Sequence, residues 1–332
     1  MSAEATYRPT FISFAPSYAC NLACAHCCVP SGSGDRLGSP VAVDCVREAP
    51  TLGITAVGFT GGEPMLVCEW VAEVVRAARE AGLEADDLST NGVWWSEREE
   101  MESALELLRG AGLEGGFHLS VDAFHAGAGG QKQAEFVHAC LEAYGTAGNL
   151  SCAEGPTHPA LPAVRRLSGR LGADVVEESD EAGRLVLPHC EIPYSRFLVA
   201  DVGQSSGVGV STGCQWFGEF DCYGHDTILV DPSGEAHFCL GFASYAARPL
   251  WLGSVAQDGL SEVVLRAAEN PLVRLLCSEG PAGLRRVILE RNPGAFEESW
   301  ASPCAFCYHC LTDKILCSIL HEAGILPSND RA

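Results

Sequence analysis

The chain has 332 residues, 47% of them hydrophobic, enough to bury a large core in one big domain or two smaller ones. Its 43 acidic against 21 basic residues leave a formal charge of −22, which argues against a nucleic-acid backbone as partner and mildly favours a cationic substrate. Neither a bilayer-length apolar run nor a basic-plus-apolar signal pattern over Met1 to Thr10 occurs, so a soluble, cytoplasmic protein with no membrane partner is expected.

Short β-like runs alternate with amphipathic helical patterns through the first two-thirds of the chain. Phe11 to Phe14 reads as a first strand, followed by a helix around Val41 to Leu52 and a strand Thr55 to Phe59 that ends at Thr60-Gly-Gly-Glu-Pro64. Trp70, Val71, Val74, Val75 and Ala78 recur at helical spacing. A strand near Leu88 ends in Ser89-Thr-Asn-Gly92, and a helix with Met101, Ala104, Leu105 and Leu108 leads to a strand Phe117 to Val121 that runs into Asp122. A helix with Phe136, Val137, Cys140 and Leu141, a strand Asn149 to Cys152, a helix with Leu161, Val164, Leu167 and Leu171, and a sixth strand near Leu185 to Ile192 complete the series. Repeated β-α units imply parallel strands joined by right-handed crossovers. Six units fall short of a closed eight-stranded barrel, so the α/β class predicted over residues 1–205 is an open, partial (β/α)6 barrel.

Gly203 to Gly213 is Gly/Ser-rich and reads as a linker. Beyond it, residues 206–332 are expected to form a small C-terminal α+β domain. Asp226 to Val230, the turn Asp231-Pro-Ser-Gly234 and Glu235 to Cys239 read as a β-hairpin. Helical segments near Leu260 to Glu269 and Pro271 to Arg291 precede Cys304-Ala-Phe-Cys307-Tyr-His-Cys310 and a terminal helix carrying Cys317.

Seventeen cysteines in a chain with no export signal favour metal or cluster ligation over disulfides. Cys20-Asn-Leu-Ala-Cys24-Ala-His-Cys27 places three thiolates close enough to hold three irons of a 4Fe–4S cube and leave the fourth iron open. A zinc half-site completed by Cys28 or His26 is the competing reading of the same spacing. Each first-domain motif directly follows a strand, where barrels of this type carry their reactive face.

The cysteine spacing together with the Gly61-Gly62-Glu63-Pro64 loop resembles the radical S-adenosylmethionine (SAM) superfamily over roughly residues 10 to 200. The resemblance implies that Cys20, Cys24 and Cys27 bind the cluster and that SAM chelates the open iron. It further implies that the backbone of Gly61, Gly62 and Glu63 contacts the methionine amino group. Glycines suit such a loop because a chain without Cβ atoms approaches a ligand closely. Asn91, Ser120 and Asp122 resemble the polar residues that reach the ribose and methionine parts, or serve as ordinary turn and cap residues. His26 stands where the family usually has an aromatic residue near adenine, and Asn149 to Gly155 shows no clear adenine motif. The implied chemistry is reductive cleavage of SAM to a 5′-deoxyadenosyl radical that abstracts an unactivated hydrogen, with the protein supplying placement and exclusion of water. A one-electron donor such as flavodoxin or ferredoxin is the implied partner.

Cys222, Cys239, Cys304 and Cys307 can close four corners of a second, auxiliary 4Fe–4S cube, two from the hairpin and two from a C-terminal loop. This arrangement resembles the twitch domain of radical SAM dehydrogenases such as 2-deoxy-scyllo-inosamine dehydrogenase more than the longer SPASM domain. Cys310 and Cys317 are further candidates, and a zinc ribbon is the bland alternative. Ten cysteines remain; Cys45, Cys68, Cys140, Cys277 and Cys317 fall in helical patterns as small core residues. Cys190, expected at the end of the sixth strand and on the rim of the SAM motifs, is the candidate hydrogen donor to a substrate radical, as in sugar and aminoglycoside epimerases of the hygromycin and neomycin pathway type. Cys152, Cys214 and Cys310 are weaker candidates, and His189, Glu191, Tyr194 and Arg196 could line the same pocket. The resulting expectation is an epimerase, an isomerase of antibiotic biosynthesis acting on a carbinol carbon of a sugar or aminocyclitol. The alternatives are an oxidoreductase of the same alcohol, or a maturase of a ribosomal peptide. Nineteen residues precede Cys20, too few for the leader-binding winged helix that many maturases carry.

Overall fold

The computed structural model describes residues 7–30, 35–85, 87–125, 130–199, 222, 224–296, 300 and 302–327. The proposed linker at 203–213, the 205/206 boundary and Cys214 lie outside the described residues. Among the described residues eleven strands form one sheet: β1 (Phe11–Phe14), β2 (Ala56–Phe59), β3 (Leu88–Thr90), β4 (Phe117–Ser120), β5 (Asn149–Glu154), β6 (Asp174–Glu177), β7 (Ala182–Val186), β8 (Glu191–Leu198), β9 (Thr227–Val230), β10 (Glu235–His237) and β11 (Trp251–Ser254). Their order is β11-β10-β9-β1-β2-β3-β4-β5-β8-β7-β6. All neighbours from β9 through β8 pair in parallel, and antiparallel hairpins finish both ends. The six strands β1 to β5 and β8 form the open, partial (β/α)6 arrangement of an α/β fold.

Helices α1 (Ser39–Glu48), α2 (Cys68–Glu80), α3 (Arg98–Ala111), α4 (Gly130–Tyr144) and α5 (Leu161–Leu171) are the crossovers. Their buried stripes, among them Val71, Val75, Leu105, Leu108, Val137 and Val164, share one core with Ile12, Phe14, Val57, Phe59, Phe117, Leu119 and Leu150 of the strands. Each fully buried side chain of this size contributes on the order of 2 kcal/mol. Fully covered parallel strands are usually apolar on both faces. Here the residues that alternate with the buried ones are polar: Ser13 on β1, Ser89 on β3, His118 and Ser120 on β4, Ser151 on β5. A strand turns successive side chains to opposite faces, so these line the concave side.

Three expectations change. First, residues 185–192 are not one strand. Leu187 to Cys190 turn the chain between antiparallel β7 and β8, with Leu187 N–H donating to the Cys190 carbonyl at 2.9 Å and Val186 opposite Glu191. Cys190 therefore precedes the sixth parallel strand. Second, the C-terminal cysteines lie on a helix, Pro303–Thr312, rather than a loop. The Ser302 hydroxyl caps it by accepting from Ala305 N–H at 3.2 Å, with Pro303 in its first turn. Third, the β9–β10 hairpin adds to the core sheet, β9 running parallel to β1 in the register Phe11–Thr227 to Phe14–Val230. No described helix is long and apolar enough to cross a membrane.

Candidate functional site

A cavity of about 620 Å³ opens at the C-terminal ends of the parallel strands, within the roughly 300–1,000 Å³ range of small-molecule sites. Its wall contains Cys20, Cys24 and Cys27 from the loop after β1, Gly61, Gly62 and Glu63 after β2, Asn91 after β3 and Ser120 at the end of β4. The three thiols are free cysteines facing one space. Sulfur donors on a single loop, with room before them, suit a three-ligand iron–sulfur centre that leaves one iron open.

Polar contacts from two other strands hold the cysteine loop. Asn91 Nδ2 lies 3.8 Å from Cys20 Sγ and donates to Asn21 Oδ1 at 2.9 Å. Asn91 Oδ1 accepts from Val93 N–H at 2.8 Å, and Asn21 Nδ2 donates to the Val93 carbonyl at 3.1 Å. Glu63 is 3% exposed. Its carboxylate accepts from Thr90 Oγ1 and Asn91 N–H, both at 2.8 Å, and from Met65 N–H at 3.2 Å. Burial pushes the Glu63 carboxyl up to about 7, against the pull of those three donors. Its side chain is thus spent inside the protein.

The glycines answer first to the protein's own chain. Gly62 N–H donates to the Ser17 carbonyl at 3.0 Å and Glu63 N–H to that of Ala19 at 2.9 Å. A Cβ on Gly62 would fall 2.1 Å from the Ala19 oxygen, and one on Gly61 (φ +113°) 2.7 Å from that of Ser17. Only a bare main chain fits against the segment that enters Cys20.

Asp122 departs from its expected role. It is 1% exposed and does not line the cavity. Its carboxylate accepts from Phe124 N–H at 2.9 Å, His125 N–H at 3.0 Å, His125 Nδ1 at 2.8 Å and Ala153 N–H at 3.2 Å. These contacts fix a turn that presents Phe124 and His125, two residues that the sequence reading missed. The Asp-x-Phe-His order was their available signal. The His26 ring stacks on Phe124 at 4.4 Å and meets His125 edge-on at 5.0 Å. Burial, helped by the His125 charge, lowers His26 to about 4, so it is neutral at pH 7. Burial also works to lower His125, but hydrogen bonds to Asp122 and Cys24 outweigh it and carry the imidazole up to about 10.

Other cavity residues escaped notice because only folding brings them there: Ser151, Phe197 and Leu198, with Phe242 from the short helix α6 (Phe242–Ala246); Ser89 and Cys28 line the cavity as well. Cys190 is not among them. β8 runs parallel to β5, so the turn before β8 lies at the sheet edge opposite the cavity. Tyr194 packs in the core, Arg196 faces Glu154 at 3.8 Å, and Glu191 faces Arg184 at 3.3 Å. None of these, nor His189, lines the cavity. Cys152 is a buried core residue.

Cys222, Cys239, Cys304 and Cys307 converge from three segments. Burial raises the thiols of Cys239, Cys304 and Cys307, and nearby thiolates of the same set raise them further; Cys304 reaches about 11. A Cβ on Gly241 would lie 2.9 Å from Cys304 Sγ and 3.7 Å from Cys239 Sγ, and one on Gly224 2.8 Å from Cys239 Cβ. Thiolates of such a set, with Cys307 buried and the others half-buried, suit a cationic centre that neutralises them. Cys310 is buried, and Cys317 Sγ approaches its carbonyl at 3.7 Å, one turn away from this set.

The fold is an α/β partial barrel with three cysteines on the wall of the cavity at its strand ends. Residues 14–139 match the family model of the Radical SAM superfamily. The superfamily implies SAM and a 4Fe–4S cluster, for which the residues at the cavity fit. Among curated proteins, GTP 3′,8-cyclase of Synechococcus sp. (strain CC9902) is 39% identical over 98 residues, covering 29% of this chain and 27% of the cyclase. The chain thus spans about a quarter of that relative's length. Among solved structures, Streptococcus suis SuiB bound to its precursor peptide SuiA superposes with a TM-score of 0.53 at 12% identity, covering 78% of this chain and 65% of SuiB. The anSMEcpe structure with bound AdoMet and a Kp18Cys peptide gives a TM-score of 0.51 at 14% identity, covering 95% of this chain and 99% of that one. At these identities the structural likeness shows the fold.

Proposed function

We propose that the chain is a radical SAM enzyme that epimerises a carbinol carbon of a sugar or aminocyclitol of the aminoglycoside kind. In this reading Cys20, Cys24 and Cys27 hold the SAM-side cluster, and Cys222, Cys239, Cys304 and Cys307 hold an auxiliary 4Fe–4S centre of the twitch type. Residues 1–205 are then the core and 206–332 the auxiliary domain. The cofactors together supply a 5′-deoxyadenosyl radical that takes a hydrogen atom from the substrate. The observation that carries the substrate class is the row of hydroxyls from Ser89, Ser120 and Ser151 on three adjacent strands, all on the cavity wall. A polyol exchanges hydrogen bonds with such a row, and the net charge of −22 suits an amino sugar.

Hydrogen return falls to Cys28 instead of Cys190. Cys28 is a cavity-wall cysteine outside both ligand sets and adjoins Cys27 in the chain. Its S–H bond breaks as the new C–H bond forms, and the resulting thiyl is reset by one electron and one proton from an external one-electron donor such as flavodoxin or ferredoxin. Anaerobic turnover with dithionite and SAM against a panel of aminoglycosides should give 5′-deoxyadenosine and a product of unchanged mass, with solvent deuterium on the inverted carbon. Cys28→Ala should stop epimerisation and let a ketone accumulate, while Cys190→Ala turns over normally. Epimerisation without deuterium incorporation, or a fully active Cys28→Ala variant, refutes the donor role. A ketone from the wild-type chain would instead mark a dehydrogenase, with the auxiliary centre as electron acceptor.

A second reading, a maturase of a ribosomal peptide, is favoured by the cavity's apolar rim. Phe197 and Leu198 are 51% and 40% exposed there, and both solved structures cited above carry peptides. Pull-down with candidate precursor peptides separates the two readings.

A further inference from the structure

Gln133 is a polar residue on the apolar stripe of α4. It shares that stripe with Phe136 and Val137 of the core, and is itself 3% exposed. A buried amide is costly unless its hydrogen bonds are met. Gln133 Nε2 donates to the Ser120 carbonyl at 2.7 Å and to the Asn91 carbonyl at 3.4 Å. Both partners only accept, so the NH2 end of the amide must face them. The two carbonyls belong to neighbouring strand ends. The β3–β4 ladder runs through the pairs Leu88–Phe117, Ser89–His118 and Thr90–Leu119 and ends there. Asn91 and Ser120 come next in the same register, and the Gln133 amide spans them where the ladder has stopped. Each side is already fixed within itself. Asn91 gives its N–H to Glu63 at 2.8 Å and its side-chain amide to Asn21 of the cysteine loop at 2.9 Å. Ser120 pairs with Ser151 on β5, and both line the cavity. One buried carboxamide therefore joins the brace of the cysteine loop to the hydroxyl row.

We propose that Gln133 is a positioning residue that sets the spacing between the cysteine loop and the hydroxyl row, and with it the alignment of the 5′-deoxyadenosyl radical on the substrate carbon. The inference rests on the reading that Cys20, Cys24 and Cys27 hold the SAM-side cluster and that Ser120 and Ser151 bind the sugar. Transfer of a hydrogen atom needs the reacting atoms close and in line, and a misplacement of about 1 Å costs on the order of 100-fold in rate. Without the amide bridge each half keeps its own contacts, but the gap between them is no longer set. SAM is then still cleaved, while the radical takes its hydrogen atom from a C–H bond of the buffer instead of from the substrate.

The test uses the full chain reconstituted anaerobically with iron and sulfide, given SAM, dithionite and the aminoglycoside of the panel that the wild-type chain turns over. Product formed per 5′-deoxyadenosine is measured beside the KM for SAM. The SAM-side cluster is followed by iron content and by the paramagnetic signal that changes on adding SAM. Gln133→Met keeps the length of the side chain and removes both donors. It should keep its iron, its SAM-responsive signal and its KM for SAM, while product per 5′-deoxyadenosine falls about tenfold. Gln133→Asn keeps the donors at a reach shorter by one methylene, and its ratio should lie between the two. A Met variant that couples as the wild type does overturns the proposal. Loss of the SAM-side iron in both variants overturns it as well, since the amide would then only brace the cysteine loop. If Gln133→Met does not fold, Gln133→Asn decides on the same ratio. Failure of both to fold overturns the proposal, because the amide then holds the fold and not the alignment. A wild-type chain that cleaves SAM but turns over no aminoglycoside sinks the substrate reading instead, and that control is read before any variant.

Discussion

The two cysteine sets are built on opposite plans. Cys20, Cys24 and Cys27 lie within eight residues of each other on one loop, and polar contacts from other strands hold that loop: Asn91 on Cys20 and Asn21, Glu63 on Asn91 and Thr90. Cys222, Cys239, Cys304 and Cys307 come from three distant segments and are brought together by packing, with Cys307 in the main apolar core. A loop held by hydrogen bonds leaves its thiols facing a cavity where a ligand can enter. A set held by packing is closed, as suits a centre that exchanges electrons and not ligands. The first set has Cys20 exposed on the cavity, whereas the second has Cys307 buried and Cys222, Cys239 and Cys304 half-buried.

The strongest way to break this comparison is to delete one ligand from each set. Cys24→Ala should lower iron from about eight to about four per chain and abolish SAM cleavage. Cys307→Ala should lower iron by the same amount but leave reductive SAM cleavage measurable as 5′-deoxyadenosine. Equal loss of cleavage in both variants would show that the two sets do not act separately.

Glu63→Gln tests how far the open set depends on a buried charge. The Glu63 carboxyl is raised from 4.5 to about 7, chiefly by burial. Between those values the folded state binds more protons than the unfolded one, so this group's contribution to stability is full below about 4.5 and is lost as pH rises through about 7. The amount at stake is on the order of 3 kcal/mol. Anaerobic urea unfolding of the chain without iron should show wild-type stability falling across this window, while the Gln variant stays flatter. A parallel pH profile for the two would rule the carboxyl out as its source. The variant should also bind SAM more weakly, because its amide meets an N–H donor at Asn91 with another donor.

What could be read from the sequence follows the same division between local and distant. The strand-end positions of the cysteine triplet and of Gly61-Gly62-Glu63 were legible because each is a short run directly following a strand. The hairpin at 227–237 was legible because Asp231-Pro-Ser-Gly234 is local turn chemistry, fixed by the Asp231 side chain accepting from Ser233 N–H and Glu235 N–H at 2.8 and 3.0 Å. Cys190 was misplaced because the apolar alternation of 182–198 does not reveal where the chain reverses. Leu187-Pro-His-Cys190 gives the turn, and a reversal there sends the thiol to the far edge of the sheet. Asp122 looked like a ligand contact because its four donors include the distant Ala153 N–H and a ring folded back from His125. The cavity residues Ser151 and Phe197 depend on β5 lying beside β8, a pairing across an intervening helix and hairpin.

The smallest expected effect probes the closed set through a single cap. The Ser302 hydroxyl accepts from Ala305 N–H at 3.2 Å and starts the helix whose first turns carry Cys304 and Cys307. These two residues are three apart and share one helical face, so a frayed first turn moves Cys304 relative to Cys307. Ser302→Ala should cost about 1 kcal/mol of stability, seen as a modest fall in melting temperature. It should slow iron uptake into the auxiliary set while leaving the SAM-responsive signal untouched. If the SAM-side signal weakened instead, the two sets would share support through the β9–β1 pairing, and the division between a hydrogen-bonded loop and a packed cluster would have to be redrawn at that seam.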